Sequence, residues 1–192
     1  MASRDVRQTW RLLLIESEFA RNYRIAYQLD AEAAARNPVL EKILPSLLHV
    51  KMAAVLDEAL ETHLVARSTS LPRKYRQTLG GRISFFQDSK QIANGAELHA
   101  IQQRRNDLAH DISSSISWAQ LDQDLATVHA TLQHLGFVGS RPHFEIKAER
   151  SAMQVSEEPG VAWYCDYAVS LMEGGKIAAE FKWRSRLHND VA

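Results

Sequence analysis

Residues 46–68 read SLLHVKMAAVLDEALETHLVARS, a stretch without glycine or proline in which large apolar residues recur every three or four positions. This spacing places them on one face of an α-helix. The stripe consists of Leu48, Met52, Val55, Leu56, Leu60 and Leu64. We therefore predict that this segment is the core helix of a helical domain. Pro45 suits its first turn, because the proline ring pre-sets a helical φ angle.

Helical spacing extends to both sides of this segment. Apolar residues between Val6 and Leu29 predict one long helix, and Asn37-Pro38 predicts a kink or short break before Pro45, because proline disfavours helical backbone in the preceding residue. Downstream, Asn94 and Ser117 are each followed three residues later by a glutamate or glutamine, as in a capping box. Two further helices are predicted over residues 95–111 and 118–135, the second ended by Gly136.

The pattern changes to strict alternation after Pro142, which is typical of β-strands. Three alternating runs follow, over residues 144–149, 161–171 and 177–184. Glu173-Gly174-Gly175-Lys176 predicts a tight hairpin turn, because paired glycines accept positive φ angles. We predict an α+β protein: a mainly antiparallel α-helical bundle over residues 1–138, then a three-stranded antiparallel β-meander over residues 142–188.

Composition and charge limit the partners and the location that we expect for the protein. The 192 residues carry 23 basic and 23 acidic side chains, so any nucleic-acid or membrane partner must meet a local patch. Cys165 is the single cysteine, and the charged N-terminal sequence lacks the apolar run of a signal peptide. No apolar stretch reaches the roughly 18 residues of a membrane span. We therefore expect a cytoplasmic protein. We expect no cofactor, and we expect no metal ion because His129 and His134 are poorly spaced to share one.

Residues 98–112, LHAIQQRRNDLAHDI, combine an apolar seam with charged groups. The seam consists of Leu98, Ile101, Leu108 and Ile112, and Arg105 falls in its middle. Because an unpaired buried guanidinium is costly, we expect Arg105 to face a carboxylate, a polar cavity or a symmetric interface that opens to an anion. Asn106 and His110 share a helix face, whereas Arg105 and His110 lie about 140° apart. Arg105 and His110 therefore meet only through the long arginine side chain, helix unwinding or a second chain.

The string Arg105-Asn106-Asp107-Leu108-Ala109-His110 resembles the R-x4-6-H signature of the HEPN superfamily of all-helical domains. In that superfamily a polar residue typically follows the arginine, as Asn106 does here, and a final helix follows the motif after a short loop. The resemblance covers about residues 1–136 and leaves the strand-rich tail from 142 onward unexplained.

The resemblance implies a metal-independent endoribonuclease, a toxin or defence effector whose two motifs converge at a homodimer interface. His110 would move protons near neutral pH, Arg105 would hold the charge that develops on the phosphorane, and Asn106 would orient the phosphate or the histidine. Many members are restrained by a cognate antitoxin, so a similar partner protein is implied. Some of these partners modify a tyrosine two residues after the motif histidine, where this chain has Ile112.

Residues 66–82 carry five basic side chains and no acidic one, and their Gly80-Gly81 and Ser-Thr-Ser-Leu-Pro sequences predict a loop with short helical pieces. Such a stretch is most often a solvated loop, but here it offers a track for the RNA backbone, with Tyr75 for stacking. The candidate RNA-binding residues are Arg73, Lys74, Arg76, Arg82 and Arg104.

Purely structural interpretations remain open. Arg105 has alternative partners in Asp107 or Asp111 of a neighbouring copy and in Asp57 or Glu61 of the core helix, while a histidine at position 110 would interact favourably with a helix C-terminal dipole. The chain would then be a non-catalytic HEPN-like helical dimer, acting as a protein- or nucleotide-binding or regulatory module. A third alternative is an immunity or scaffold factor built around the sheet.

Overall fold

The computed structural model describes residues 5–22, 38–149, 153–158 and 161–188. The helices in these ranges are α1 (Val6–Arg21), α2 (Leu44–Ala66), α3 (Leu79–Asp88), α4 (Gly95–His110) and α5 (Trp118–His134), with a π-helical turn, Val39–Ile43, leading into α2. The strands are β1 (Glu145–Glu149), β2 (Met153–Glu158), β3 (Val161–Glu173) and β4 (Lys176–His188). Two compact units result, Met1–Ser17 with Arg36–Arg141 and Glu18–Ala35 with Pro142–Ala192. None of the described helices could span a membrane.

Helix α2 is the core helix of the first unit, as predicted. The whole apolar stripe is buried, and Pro45 lies in the first turn. Helices α3, α4 and α5 all pack against α2. Trp10 joins α1 to this core, because its buried ring donates a hydrogen bond from Nε1 to Nδ1 of His129 on α5 at 2.9 Å. The apolar pattern of residues 46–68 therefore identified the centre of the helical unit correctly.

The ends of the helices confirm some of the predicted signals and correct others. Ser117 caps α5 by accepting a hydrogen bond from the Gln120 amide at 3.2 Å, and Gly136 follows that helix with φ +83°. Asn94 precedes α4, but the predicted capping bond by its side chain is wrong. Its Nδ2 instead donates to Thr131 Oγ1 on α5 at 2.9 Å, because the two helices lie close together there.

Helix α1 confirms the first predicted helix as far as Arg21, and residues 23–29 of that prediction lie outside the described residues. Asn37 lies outside them too, and the backbone directly after Pro38 forms the π-helical turn. Helices α4 and α5 match their predicted ranges to within one residue at the C-terminal end. The long predicted helices thus follow the apolar periodicity.

Helix α3 begins inside residues 66–82, which the sequence predicts as a loop with short helical pieces, and it continues beyond them to Asp88. Gly80 and Gly81 lie in its first turn, where Thr78 Oγ1 accepts a hydrogen bond from the Gly81 amide at 3.3 Å. A Cβ atom on Gly81 would overlap the backbone of Arg76, so the preceding loop packs directly against this turn. The glycine therefore permits a close approach of backbone to helix and does not mark a loop.

The sheet of the second unit is antiparallel, as predicted, but it has four strands where three were expected. Strand β3 pairs with β4 along one edge, while β1 and β2 pair with successive parts of the other edge. Strand β2 was missed because its sequence, MQVSEE, contains only two apolar residues. The β3–β4 turn is confirmed by positive φ angles at Gly174 and Gly175.

Candidate functional site

The residues of the motif lie on the last half of α4, and the structure corrects their predicted orientation. Leu98 and Ile101 are fully buried, but Arg105 is exposed, so it does not occupy a core position. The inward position that follows Ile101 is Arg104, three residues further along the helix. Apolar periodicity failed here because this inward position carries a charged side chain.

Arg104 is bound to Asp124, a buried carboxylate on α5. The guanidinium donates from Nη2 to Oδ1 at 2.6 Å and from Nε to Oδ2 at 3.0 Å. His49 on α2 donates from Nε2 to the same Oδ2 at 3.1 Å, since an ionised carboxylate only accepts, and Gln120 donates to Oδ1 at 3.0 Å. Four side chains therefore tie α2, α4 and α5 together.

Electrostatics in this cluster keep Asp124 ionised. Burial of Asp124 by itself raises the pKa of the carboxyl group, but the hydrogen bonds from His49 and Arg104, together with the charge of Arg104, outweigh burial and hold the pKa below its ordinary value. The Nδ1 atom of His49 has no hydrogen-bond partner within the described part of the chain. The cluster is part of the folded core and leaves no group of Asp124 free for a ligand.

Arg105 and Asn106 line an open cleft of about 580 Å³ between α2 and α4. Arg105 Nη1 donates to Asn106 Oδ1 at 3.2 Å, so the two side chains are held side by side. Arg76 to Gly80 close one side of the cleft, and α2 contributes the other wall. The α2 residues that line it are Ala53, Ala54, Asp57, Glu58 and Glu61.

Two of these carboxylates already have a partner. Asp57 and Glu61 accept hydrogen bonds from Arg82 on α3 at 2.7 and 2.8 Å, and Arg82 is buried. Asp57 and Glu61 are therefore not the partners of Arg105 that the structural alternative offered. The guanidinium of Arg82 is engaged in the fold, and so is that of Arg104. Neither guanidinium is free to follow an RNA backbone.

His110 is the last residue of α4 and is exposed. It does not line the cleft that holds Arg105, so within one chain this cleft does not bring the two residues together. Beyond His110, Ile112 is fully exposed, and it lines a shallow groove of about 470 Å³ with Ile43, Leu47 and Leu108. Ile43 and Leu47 are each about half exposed, so with Ile112, two residues after His110, they form an apolar patch in this groove. Polar residues, among them Lys42 and Asp111, also line the groove.

The remaining candidate RNA-binding residues are exposed on the loop before α3. Lys74 places its Nζ 4.7 Å from the centre of the Tyr75 ring, and the Tyr75 hydroxyl donates to Asp88 at 2.7 Å. Arg76 lines the cleft with Arg105, whereas Arg73 lies outside it. Of the three candidates on this loop, Arg76 is therefore the one that shares the cleft with the motif.

Sequence reasoning missed the Asp124 cluster, although a signal was present. Asp124 lies on the buried face of α5 with Leu121, Leu125 and Val128, and an acidic residue on such a face requires a buried partner. The described residues contain no group of three histidine, cysteine or acidic side chains that could hold a metal ion.

Comparison of the chain with protein-family models, with curated proteins and with solved structures finds no match.

Proposed function

We propose that the protein is a metal-independent endoribonuclease of the HEPN type, with an active site composed from two copies of the chain. The observation that carries this proposal is the contrast between two adjacent arginines. Arg104 is bound to a buried carboxylate, whereas Arg105 lines an open cleft, is exposed, and has the neutral amide of Asn106 as its one hydrogen-bond partner among the described side chains. A cation held in this way is available to bind a phosphate group.

The chemistry follows from these side chains. Arg105 and Asn106 bind the scissile phosphate, and His110 takes the proton of the adjacent 2′-hydroxyl as its oxygen attacks phosphorus. The bond to the 5′-oxygen breaks, and the protonated imidazole of His110 gives this proton to the leaving oxygen. The products are a 2′,3′-cyclic phosphate and a free 5′-hydroxyl, so the net proton count is unchanged and no metal ion is needed.

The need for a second copy is supported by the separation of Arg105 from His110 around α4 and by the apolar patch of Ile43, Leu47 and Ile112. Exposed isoleucines and leucines of this kind are typical of a surface that another protein covers. A second copy bound there would bring its own motif to the same place, since a two-fold interface repeats every contact. A restraining antitoxin-like partner and a cytoplasmic location belong to the same proposal.

The test is cleavage of total RNA by the purified chain in EDTA. We expect fragments that end in cyclic phosphate, and we expect His110→Ala to lower the rate by about 100-fold or more. His134→Ala is the matched control, because His134 is also an exposed histidine at the end of a helix, and it should cleave normally. Absence of any cleavage, or cleavage that chelator removes, would reject the proposal in favour of a non-catalytic binding module.

A further inference from the structure

The cleft between α2 and α4 has more room than a phosphate group needs. Its volume of about 580 Å³ lies within the range of roughly 300–1,000 Å³ that is usual for small-molecule sites. Ala53 and Ala54 on the α2 wall keep it open, because their side chains are short. A nucleotide next to the bound phosphate therefore has space for its base in the same cleft.

Some of the polar side chains that line the cleft have protein partners and others have none among the described residues. Asp57 and Glu61 share the single guanidinium of Arg82, but the carboxylate of Glu58 has no hydrogen-bond or ion-pair partner among the described residues. Arg76 likewise has no side-chain partner in the described part of the chain, and Gln102 adds a neutral amide. The cleft thus offers one free carboxylate, one free planar cation and an amide, besides the phosphate-binding pair.

A free carboxylate discriminates among the four bases, because it only accepts hydrogen bonds. Guanine presents two adjacent donors, N1–H and the N2 amino group, and both can reach one carboxylate. Adenine and cytosine have a ring acceptor beside their amino group, and uracil has a carbonyl oxygen on each side of its single N–H. In each of these bases an acceptor lone pair would therefore face the negative carboxylate and be repelled. Proteins read single-stranded RNA through this edge and stack the base on arginine planes, which Arg76 can supply.

We propose that this cleft is a guanine-selective nucleotide site. Glu58 accepts from N1–H and the N2 amino group, Arg76 stacks on the base, and Arg105 with Asn106 binds the neighbouring phosphate. This inference rests on the proposed function, because the bound guanosine would belong to the RNA beside the bond that is cut.

The first test is binding of mononucleotides to the full chain, measured by calorimetry with the 3′-monophosphates of guanosine, adenosine, cytidine and uridine. Guanosine 3′-monophosphate should bind at least ten times more tightly than the other three, and Glu58→Gln should remove this preference. Glu97→Gln on the exposed first turn of α4 is the matched control and should keep it. Equal binding of all four nucleotides, or a preference that survives Glu58→Gln, would overturn the proposal.

The second test maps cut sites in RNA. Guanosine should be enriched next to the cut with the wild-type chain, and the cut sites should lose this enrichment with Glu58→Gln. Cleavage without guanosine enrichment would overturn this inference and leave the proposed function intact. Selective binding of guanosine 3′-monophosphate without any cleavage would reject the proposed function and support the nucleotide site by itself.

Discussion

Arg104 on α4 and Asp124 on α5 form a two-point ion pair, with Nη2 2.6 Å from Oδ1 and Nε 3.0 Å from Oδ2. Two parallel hydrogen bonds between planar groups fix direction as well as distance. Together with the buried side chains of Leu98 and Ile101, the pair therefore fixes the rotation of α4 about its axis. Because neighbouring residues of a helix differ by about 100°, Arg105 is then turned away from Asp124 and into the cleft.

This relationship predicts opposite phenotypes for two adjacent arginines. Arg104→Met leaves a buried carboxylate without its cation and should lower the free energy of unfolding by about 3 kcal/mol. Arg105→Met removes an exposed side chain and should change it by less than about 0.5 kcal/mol, while abolishing RNA cleavage. Urea denaturation and the cleavage assay measure the two effects. Equal destabilisation by both substitutions would show that Arg105 also supports the fold.

The tight contact at Gly81 predicts a further difference between neighbours. Gly81→Ala should destabilise the protein by about 2 kcal/mol, because the new Cβ overlaps the Arg76 backbone and that loop must move. Gly80→Ala should be tolerated, since its Cβ meets only the flexible end of Gln102, with the nearest atom at 3.3 Å. Thermal denaturation of the two variants gives the comparison. A loss of stability confined to Gly80→Ala would contradict the packing described for α3.

Stability should fall in mild acid because the pKa values of two buried histidines are lowered. Burial, with the nearby charge of Arg141, lowers the pKa of His129, and burial, with Arg67, lowers the pKa of His63. The unfolded chain takes up these protons near pH 6.5, before the folded chain does. Stability is therefore greatest above about pH 6.5 and is lost as the pH falls through the lower folded values.

His129→Gln tests this prediction between pH 7.5 and 5. The variant loses the acceptor at Nδ1 that binds Trp10, so it should be less stable by about 1 kcal/mol at pH 7.5, and its stability should fall less steeply in acid. Replacing the exposed His134 with Gln should leave the dependence of unfolding free energy on pH as it is in the wild type. If the unfolding free energy of His129→Gln falls with pH as steeply as that of the wild type, His129 does not contribute to acid sensitivity.

The sequence identified the parts of the structure that apolar periodicity governs. Helix α2 and the β3–β4 hairpin were predicted because their patterns contain no competing signal. Which face of α4 points into the core was not predicted. Arg104 and Arg105 are chemically identical, and only the position of Asp124 on another helix distinguishes them. The cleft was not predicted either, since it depends on a loop that packs beside Gly81.

We expect the apolar patch of Ile43, Leu47 and Ile112 to take part in the association of two copies of the chain. If the proposed dimer forms through this patch, Ile112→Glu should shift it to monomer and abolish cleavage, because burying an unpaired charge in an apolar interface is costly. Light scattering after size-exclusion chromatography measures the mass. Val65→Glu is the control, as Val65 is an exposed apolar residue of α2 outside the groove, and it should remain dimeric. Retention of the dimer by Ile112→Glu would place the interface elsewhere.

Mixing two inactive variants tests the composite site most directly. Arg105→Ala and His110→Ala chains are combined, allowed to exchange subunits, and assayed for RNA cleavage in EDTA. If each site takes Arg105 from one copy and His110 from the other, half of the dimers are mixed and each has one intact site, so about one quarter of wild-type activity should return. A mixture as inactive as either variant alone, despite confirmed subunit exchange, would contradict a site shared between two copies.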